Sequence, residues 1–160
     1  MEIQELPSNA NSEVILSILE PFKFSEEKQS LIKRNFECEM TEIGSNRIVL
    51  LGSASQIPMA TVQLVLTNAD NNPELANGWD IAHVHNLWVR KDHHRRGLAG
   101  CMMRYCEKLA SQKRIKYLTL GVDDDNNPAL SLYEKLGYKK FAEEEGRTPH
   151  EKLLLMRKAL

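Results

Sequence analysis

The sequence predicts a single α/β (α+β) domain, a mixed and mostly antiparallel sheet flanked by helices. Three observations predict it. Helical periodicity comes first, two adjacent strand-like runs follow, and the rest alternates strand and helix signals before closing on strands. The chain has 160 residues, 42% hydrophobic and 27% charged, enough for one core and too little for two comfortable ones.

The elements follow in order. Pro7-Ser8-Asn9-Ala10-Asn11-Ser12 offers several N-caps, and Val14, Ile15, Ile18 and Leu19 then recur at helical spacing until Pro21 stops the helix. Ser25-Glu26-Glu27-Lys28 opens a second helix, with Leu31, Ile32 and Phe36 as its buried stripe. Residues 47–51 and 59–66 are rich in β-branched and aliphatic side chains and read as a hairpin around a turn at 52–58. Residues 68–73 and Asn77-Gly78 are loop chemistry, and a long strand follows over 79–89. Residues 90–96 form a polar connector. Leu98, Cys101, Met102, Tyr105 and Leu109 then mark one face of an amphipathic helix. A strand over 117–122 and a loop over 123–127 lead to Pro128, suited to a first helical position. That helix carries Leu130, Tyr133 and Leu136 and ends at Gly137. Strands over 138–142 and 153–156 finish the chain.

The bulk numbers exclude several classes. A net charge of −1 points to neither nucleic acid nor an anionic membrane. Met1-Glu2-Ile3-Gln4-Glu5 lacks the basic start and apolar run of a signal peptide, and no stretch is long and apolar enough to span a bilayer. Cys38, Cys101 and Cys106 have no CxxC spacing and read as reduced thiols. A cytoplasmic protein is expected.

The chemistry concentrates between Leu87 and Gly100. A strand ends at Val89, a loop runs to Arg96, and a helix begins near Gly97. The first turn of a helix offers unpaired N–H groups and a partial positive charge. Gly97, Ala99 and Gly100 are small enough for a ligand to approach that backbone, and Arg95 and Arg96 add charge. The segment suits a phosphate or diphosphate. It matches neither GxxxxGK[ST] nor GxGxxG.

From Val89 onward, His94-Arg95-Arg96-Gly97-Leu98-Ala99 resembles the cofactor motif of the GCN5-related N-acetyltransferase (GNAT) family. That motif is a strand ending in Val, a short loop, then Arg/Gln-x-x-Gly-x-Gly/Ala opening a helix. His94 departs from it, standing where Arg or Gln is usual. A second segment, Asn126 to Tyr138, resembles the family's Asn-x-x-Ala-x-x-x-Tyr-x-x-x-Gly-Phe/Tyr pattern through Asn126, Ala129, Tyr133, Gly137 and Tyr138. In layout the resemblance covers about residues 57–158, the cofactor core, and leaves the helices within 1–45 for the acceptor side of one domain spanning 1–160.

The resemblance implies an acetyl-CoA-dependent N-acetyltransferase that moves an acetyl group to a primary amine by direct attack on the thioester. It implies a splayed central strand pair, with the backbone of Leu87, Trp88 and Val89 pairing with the pantetheine arm. Residues His94, Arg95, Arg96, Gly97, Leu98, Ala99 and Gly100 would hold the diphosphate, and Asn126 and Ala129 would flank the cofactor. Tyr133 is the implied general acid for the departing thiolate. His85 stands where the family often places a Glu base, and imidazole titrates near neutrality. Asp80 and Glu42 are other acidic candidates with no motif behind them.

No metal is expected, since His83 and His85 share a strand face but nothing at ligand spacing completes the set. Arg90, Lys91, Arg95 and Arg96 form a basic cluster that phosphates of a cofactor explain better than nucleic acid does. Trp79 and Trp88 read as buried, and Glu143-Glu144-Glu145 as a solvated turn. The acceptor is expected to be a small molecule, with a protein N-terminus or lysine as the alternative. A non-catalytic acyl-CoA sensor is the alternative of another class. Monomer and homodimer both remain open.

Overall fold

Apolar runs of period two alternate with runs of helical period, and the backbone follows them. The computed structural model describes residues 1–146 and 148–160. Strand β1 (Glu2–Glu5) precedes helices α1 (Glu13–Leu19) and α2 (Glu26–Met40); β2 (Arg47–Ala54), β3 (Ile57–Val65) and β4 (Ile81–Val89) follow. Helix α3 (Leu98–Gln112), β5 (Tyr117–Asp123), helix α4 (Asn127–Lys135), β6 (Lys139–Glu145) and β7 (Lys152–Ala159) complete the chain. The strands form one sheet in the order β1-β2-β3-β4-β5-β7-β6. β4 and β5 are parallel, whereas β1–β2, β5–β7 and β6–β7 are antiparallel. This is the mixed α/β fold that the sequence predicts. The chain divides into two compact units, residues 1–64 with 86–106, and residues 65–85 with 107–160.

The first unit is built on α1, α2 and β2. Ile15, Ile18, Phe36, Met40, Val49 and Leu51 are buried together in its core. Helix α1 ends at Leu19, and Pro21 sits in a 3-10 turn over Glu20–Phe22 that closes on left-handed Lys23. Ser25 caps α2, its hydroxyl accepting the Lys28 amide at 3.4 Å. The buried stripe of α2 is Ile32, Phe36 and Met40; Leu31, expected in it, is 54% exposed. Position 31 lies about 100° round the helix from 32, off the stripe that spacings of four residues define.

The β2–β3 hairpin has a tighter turn than expected. Ser55 and Gln56, both with positive φ, make the whole connection, a geometry whose twist matches that of the strands. Gly52 therefore lies inside β2. A Cβ there would come within 2.7 Å of the Met1 sulfur and 2.9 Å of the Met102 sulfur. Strand β1 carries no sequence signal, because Glu2-Ile3-Gln4-Glu5 holds one apolar residue. It pairs with β2 at the end of the sheet order, where charged residues are tolerated.

In the second unit, Val65, Ala69, Leu75, Ala76 and Leu155 form a buried cluster. Three further expectations are corrected here. Strand β4 starts at Ile81, not Trp79, and Trp79 is 84% exposed. The Asn77 side-chain oxygen accepts the amides of Trp79, Asp80 and Ile81 at 2.9, 3.0 and 3.0 Å, which winds that segment into a loop. The acidic run 143–145 lies in β6; Glu143 accepts from Lys140 and from Lys152, which holds its carboxyl down at about 2.

Helix α3 runs through both units, and its buried face is rotated from the expected one. Met102, Met103, Cys106 and Ala110 are buried, whereas Tyr105 is 37% exposed. Both sets have helical spacing, and the compact set lies inward. Among the described residues no helix is long and apolar enough to cross a membrane.

Gly52→Val should destabilise the fold by about 1–3 kcal/mol, the usual cost of overpacking, measured by urea unfolding. An unchanged midpoint would mean that the Met1 and Met102 sulfurs move aside freely.

Candidate active site

Helix α3 opens where the small residues cluster. Its first backbone bond runs from the Cys101 amide to the Gly97 carbonyl at 3.0 Å. The amides of Leu98, Ala99 and Gly100 stand ahead of that ladder, at the positive end of the helix dipole. The turn before it is left-handed at Arg95 (φ 59°) and Gly97 (φ 76°). Such changes of handedness turn amides toward a common centre, a nest for an anion. Left-handed backbone costs an arginine about 1–2 kcal/mol, strain of the kind that gathers at functional sites. A Cβ at Gly97 would meet nothing within 4 Å, so the space over it is open. Arg95 and Arg96 are exposed beside it. Arg90 in the same cluster is engaged: its Nε donates to Asp92 at 3.0 Å, and His93 Nδ1 lies 2.9 Å from that carboxylate. The His93 contact, then Arg90, holds the Asp92 carboxyl below its usual range.

Strand β4 keeps register with β5 only from Ile81–Tyr117 to Val84–Leu120, four residues of its nine. Two residues later Asn86 has a φ of 47°. A left-handed residue within a strand marks a bulge, because it turns the following N–H and C=O groups out of the regular ladder. Leu87, Trp88 and Val89 follow directly, each half-buried. At the far end the Arg90 amide donates to the Met59 carbonyl at 2.8 Å.

His94 folds back on this strand. Its Nε2 lies 2.8 Å from the Val89 carbonyl, which can only accept, so Nε2 carries the proton. Its ring is 5.6 Å from that of Phe22. Phe22 and Phe24 stack at 5.4 Å, and Trp88 meets both edge-on. The residue that departs from the family pattern thus ties the loop to the aromatic turn after α1. The half-buried Trp88 belongs to that cluster, unlike Trp79.

In the second unit, Asn126, Ala129 and Tyr133 share helix α4. Asn126 caps it, its side-chain oxygen accepting the Ala129 amide at 3.3 Å. Tyr133 is 8% exposed and lies 6.0 Å, edge-on, from Tyr138. Burial pushes its phenol up to about 12. His85 is half-buried, its ring 6.1 Å from that of His83. His83 is tied into the sheet: Thr119 donates to the Leu75 carbonyl at 2.7 Å and lies 2.8 Å from His83 Nδ1. No three His, Cys, Asp or Glu residues gather as a metal site among the described residues. Asp80 accepts from Asn77 at 3.0 Å, a loop contact.

Sequence reasoning missed a polar chain in the first unit. Asn86 Nδ2 donates to both Glu39 oxygens, at 3.1 and 2.9 Å, and Gln63 Nε2 donates to Glu39 at 2.9 Å. Arg47 donates to the Gln63 oxygen and pairs with Glu42 at 3.2 Å, which gives Glu42 a structural partner. Gln63 is fully buried and Arg47 nearly so. One signal was available: Gln63 interrupts the apolar run of β3. A half-open cleft of about 650 Å³ also lies between α1 and α2, lined by Leu16, Leu19, Phe24 and Ile32 with Glu13, Glu20, Glu26 and Lys33.

A sequence model of the acetyltransferase (GNAT) family matches residues 15–138, most of the chain. The chain belongs to this family. A comparison of the sequence with curated proteins finds no match. Solved structures of similar fold include the aminoglycoside 6'-N-acetyltransferase from Enterococcus faecium, 18% identical, with 99% of this chain and 97% of that one covered and a TM-score of 0.76. The ribosomal-protein-S18-alanine N-acetyltransferase from Escherichia coli is 16% identical over 99% and 92% of the two chains, with a TM-score of 0.73. The PaiA N-acetyltransferase from Thermoplasma acidophilum, in complex with coenzyme A, is 18% identical over 99% and 98%, with a TM-score of 0.74.

A GNAT protein is an acyltransferase using acetyl-CoA, and the loop before α3 has the open backbone and exposed cations of an anion site. Gly97 leaves the approach open, the left-handed turns aim amides, and the two exposed arginines carry charge. Gly97→Val should raise the dissociation constant for coenzyme A about tenfold, because left-handed strain costs a branched residue about 1–2 kcal/mol and its side chain fills the open space. Calorimetric titration would read it; unaltered binding would place the diphosphate elsewhere.

Proposed function

We propose that this GNAT enzyme acetylates a primary amine on a small molecule, drawing on acetyl-CoA. The observation that carries this reading is the left-handed Asn86 within β4, just past the last β4–β5 pair and immediately before the residues that lead into the start of α3. Backbone groups of Leu87, Trp88 and Val89 then pair with the pantetheine arm, and one N–H faces the thioester oxygen. The amides of Leu98, Ala99 and Gly100, with Arg95 and Arg96, hold the diphosphate. Bound acetyl-CoA supplies an acetyl group activated as a thioester. In the cleft between α1 and α2, Glu13, Glu20 and Glu26 outnumber Lys33 beside an apolar floor, which favours a cationic acceptor with some apolar surface.

Tyr133 assists the departing thiolate, as the Asn126–Ala129–Tyr133 pattern implies. A phenol at about 12 facing a thiol at about 8.5 makes full proton transfer uphill by roughly 5 kcal/mol. Tyr133 therefore acts first as a hydrogen-bond donor that stays protonated throughout the working range. Because burial raises this phenol above the usual value near 10, its neutral form stabilises the fold below that pH. The contribution is lost as pH rises toward about 12. His85 takes the proton of the attacking amine, directly or through water.

Free thiol released from acetyl-CoA against a panel of small amines, peptides and oligonucleotides tests the function. Turnover with small amines is expected. Turnover confined to peptide N-termini or lysines would move the acceptor to protein, and coenzyme binding without any turnover would make the domain a sensor. Tyr133→Phe should lower kcat about 100-fold or more while the KM for acetyl-CoA changes less than about threefold; an unchanged kcat removes Tyr133 from the reaction. His85→Gln should lower kcat/KM at neutral pH, with partial recovery near pH 9 as more amine is neutral. A loss of equal size at both pH values would give His85 a structural role instead.

A further inference from the structure

We infer that Glu39 of helix α2 is a positioning residue for coenzyme binding, because it holds Asn86 in the left-handed conformation that bends β4. This inference rests on the proposed pairing of the β4 backbone with the cofactor. Asn86 is not glycine, yet it sits inside a strand with a φ of 47°. Asparagine visits that region more readily than other side chains but does not require it. The Asn86 amide nitrogen straddles the Glu39 carboxylate, 3.1 and 2.9 Å from its two oxygens.

The orientation of every group in this chain is forced. Arg47 can only donate, so the Gln63 oxygen must face it. That turns the Gln63 nitrogen to Glu39, 2.9 Å away. The carboxylate can only accept, so Asn86 must also present its nitrogen. Gln63 is fully buried and Arg47 is 8% exposed, so the chain is anchored inside the first unit. Losing Glu39 removes the acceptor that both amide donors share. Nothing in this polar chain then fixes the Asn86 side chain against the extended conformation of its neighbours. The groups of residues 87–89 would swing back toward the regular ladder and away from the pantetheine.

The test is a mutant cycle read by coenzyme A titration at a temperature where circular dichroism shows every variant folded. Glu39→Ala should raise the dissociation constant about tenfold. Glu39→Leu, of similar bulk but with no acceptor for either amide, should do nearly the same. Asn86→Gly adopts positive φ without help, so adding Glu39→Ala to it should change binding less than about twofold. Where Glu39→Ala does not fold, Glu39→Leu alone and combined with Asn86→Gly carries the cycle. Wild-type affinity in Glu39→Ala or Glu39→Leu overturns the inference, as does a loss of equal size whether or not Asn86→Gly is present. If the wild-type protein itself fails to bind coenzyme A, the proposed function falls instead.

Discussion

The bend of β4 at Asn86 is the constraint on which the rest of the arrangement depends. A strand in a regular sheet uses its amides and carbonyls on its neighbours and has few to offer a ligand. One left-handed residue breaks that accounting locally. It lies just past the last β4–β5 pair, at the point where the strand leads on to residues 87–89 and the loop before α3. A cofactor held through backbone would leave side chains free to vary, which is compatible with His94 standing where the family usually has Arg or Gln. The fold tolerates the bend because the Asn86 side chain answers to a buried polar chain reaching Arg47.

That polar chain is also a risk. A carboxylate taken out of water costs more than it returns unless it is fully hydrogen-bonded. Glu39 meets two amides, Gln63 meets Glu39 and Arg47, and Arg47 meets Glu42 as well. Each member is satisfied only because its neighbours are oriented. Such a network specifies one arrangement and penalises others, so it suits a site whose geometry must repeat from one turnover to the next.

The fold was legible in the sequence wherever period and punctuation agreed. Pro21, Ser25, Pro128 and Gly137 bound helices as their chemistry demands, and the β5 and β7 runs lie where their apolar residues fall, whereas β6 runs on through the acidic 143–145. The end of β4 at Val89 and the start of α3 after Gly97 were legible because glycine and arginine stand at fixed offsets from Val89. What failed was rotation and reach. Leu31 and Tyr105 have helical spacing but lie off the stripes that tertiary packing chose. Trp79 reads as strand because tryptophan favours strands, yet the Asn77 side chain captures three amides and makes a loop. Strand β1 has almost no apolar signal of its own and exists because β2 offers it a partner. The Glu39–Asn86 contact joins residues 47 positions apart, a separation no local pattern encodes.

The two tryptophans stand in opposite settings. Trp79 projects into water at 84% exposure from a loop pinned by Asn77, while Trp88 lies edge-on to Phe22 and Phe24 on the strand that follows Asn86. The chain has only these two. Its intrinsic emission is therefore a sum of one solvent-relaxed indole and one shielded indole. A soluble quencher reaches the first more readily, so the emission that resists it reports on the half-buried indole beside the bend, built into the protein without any label.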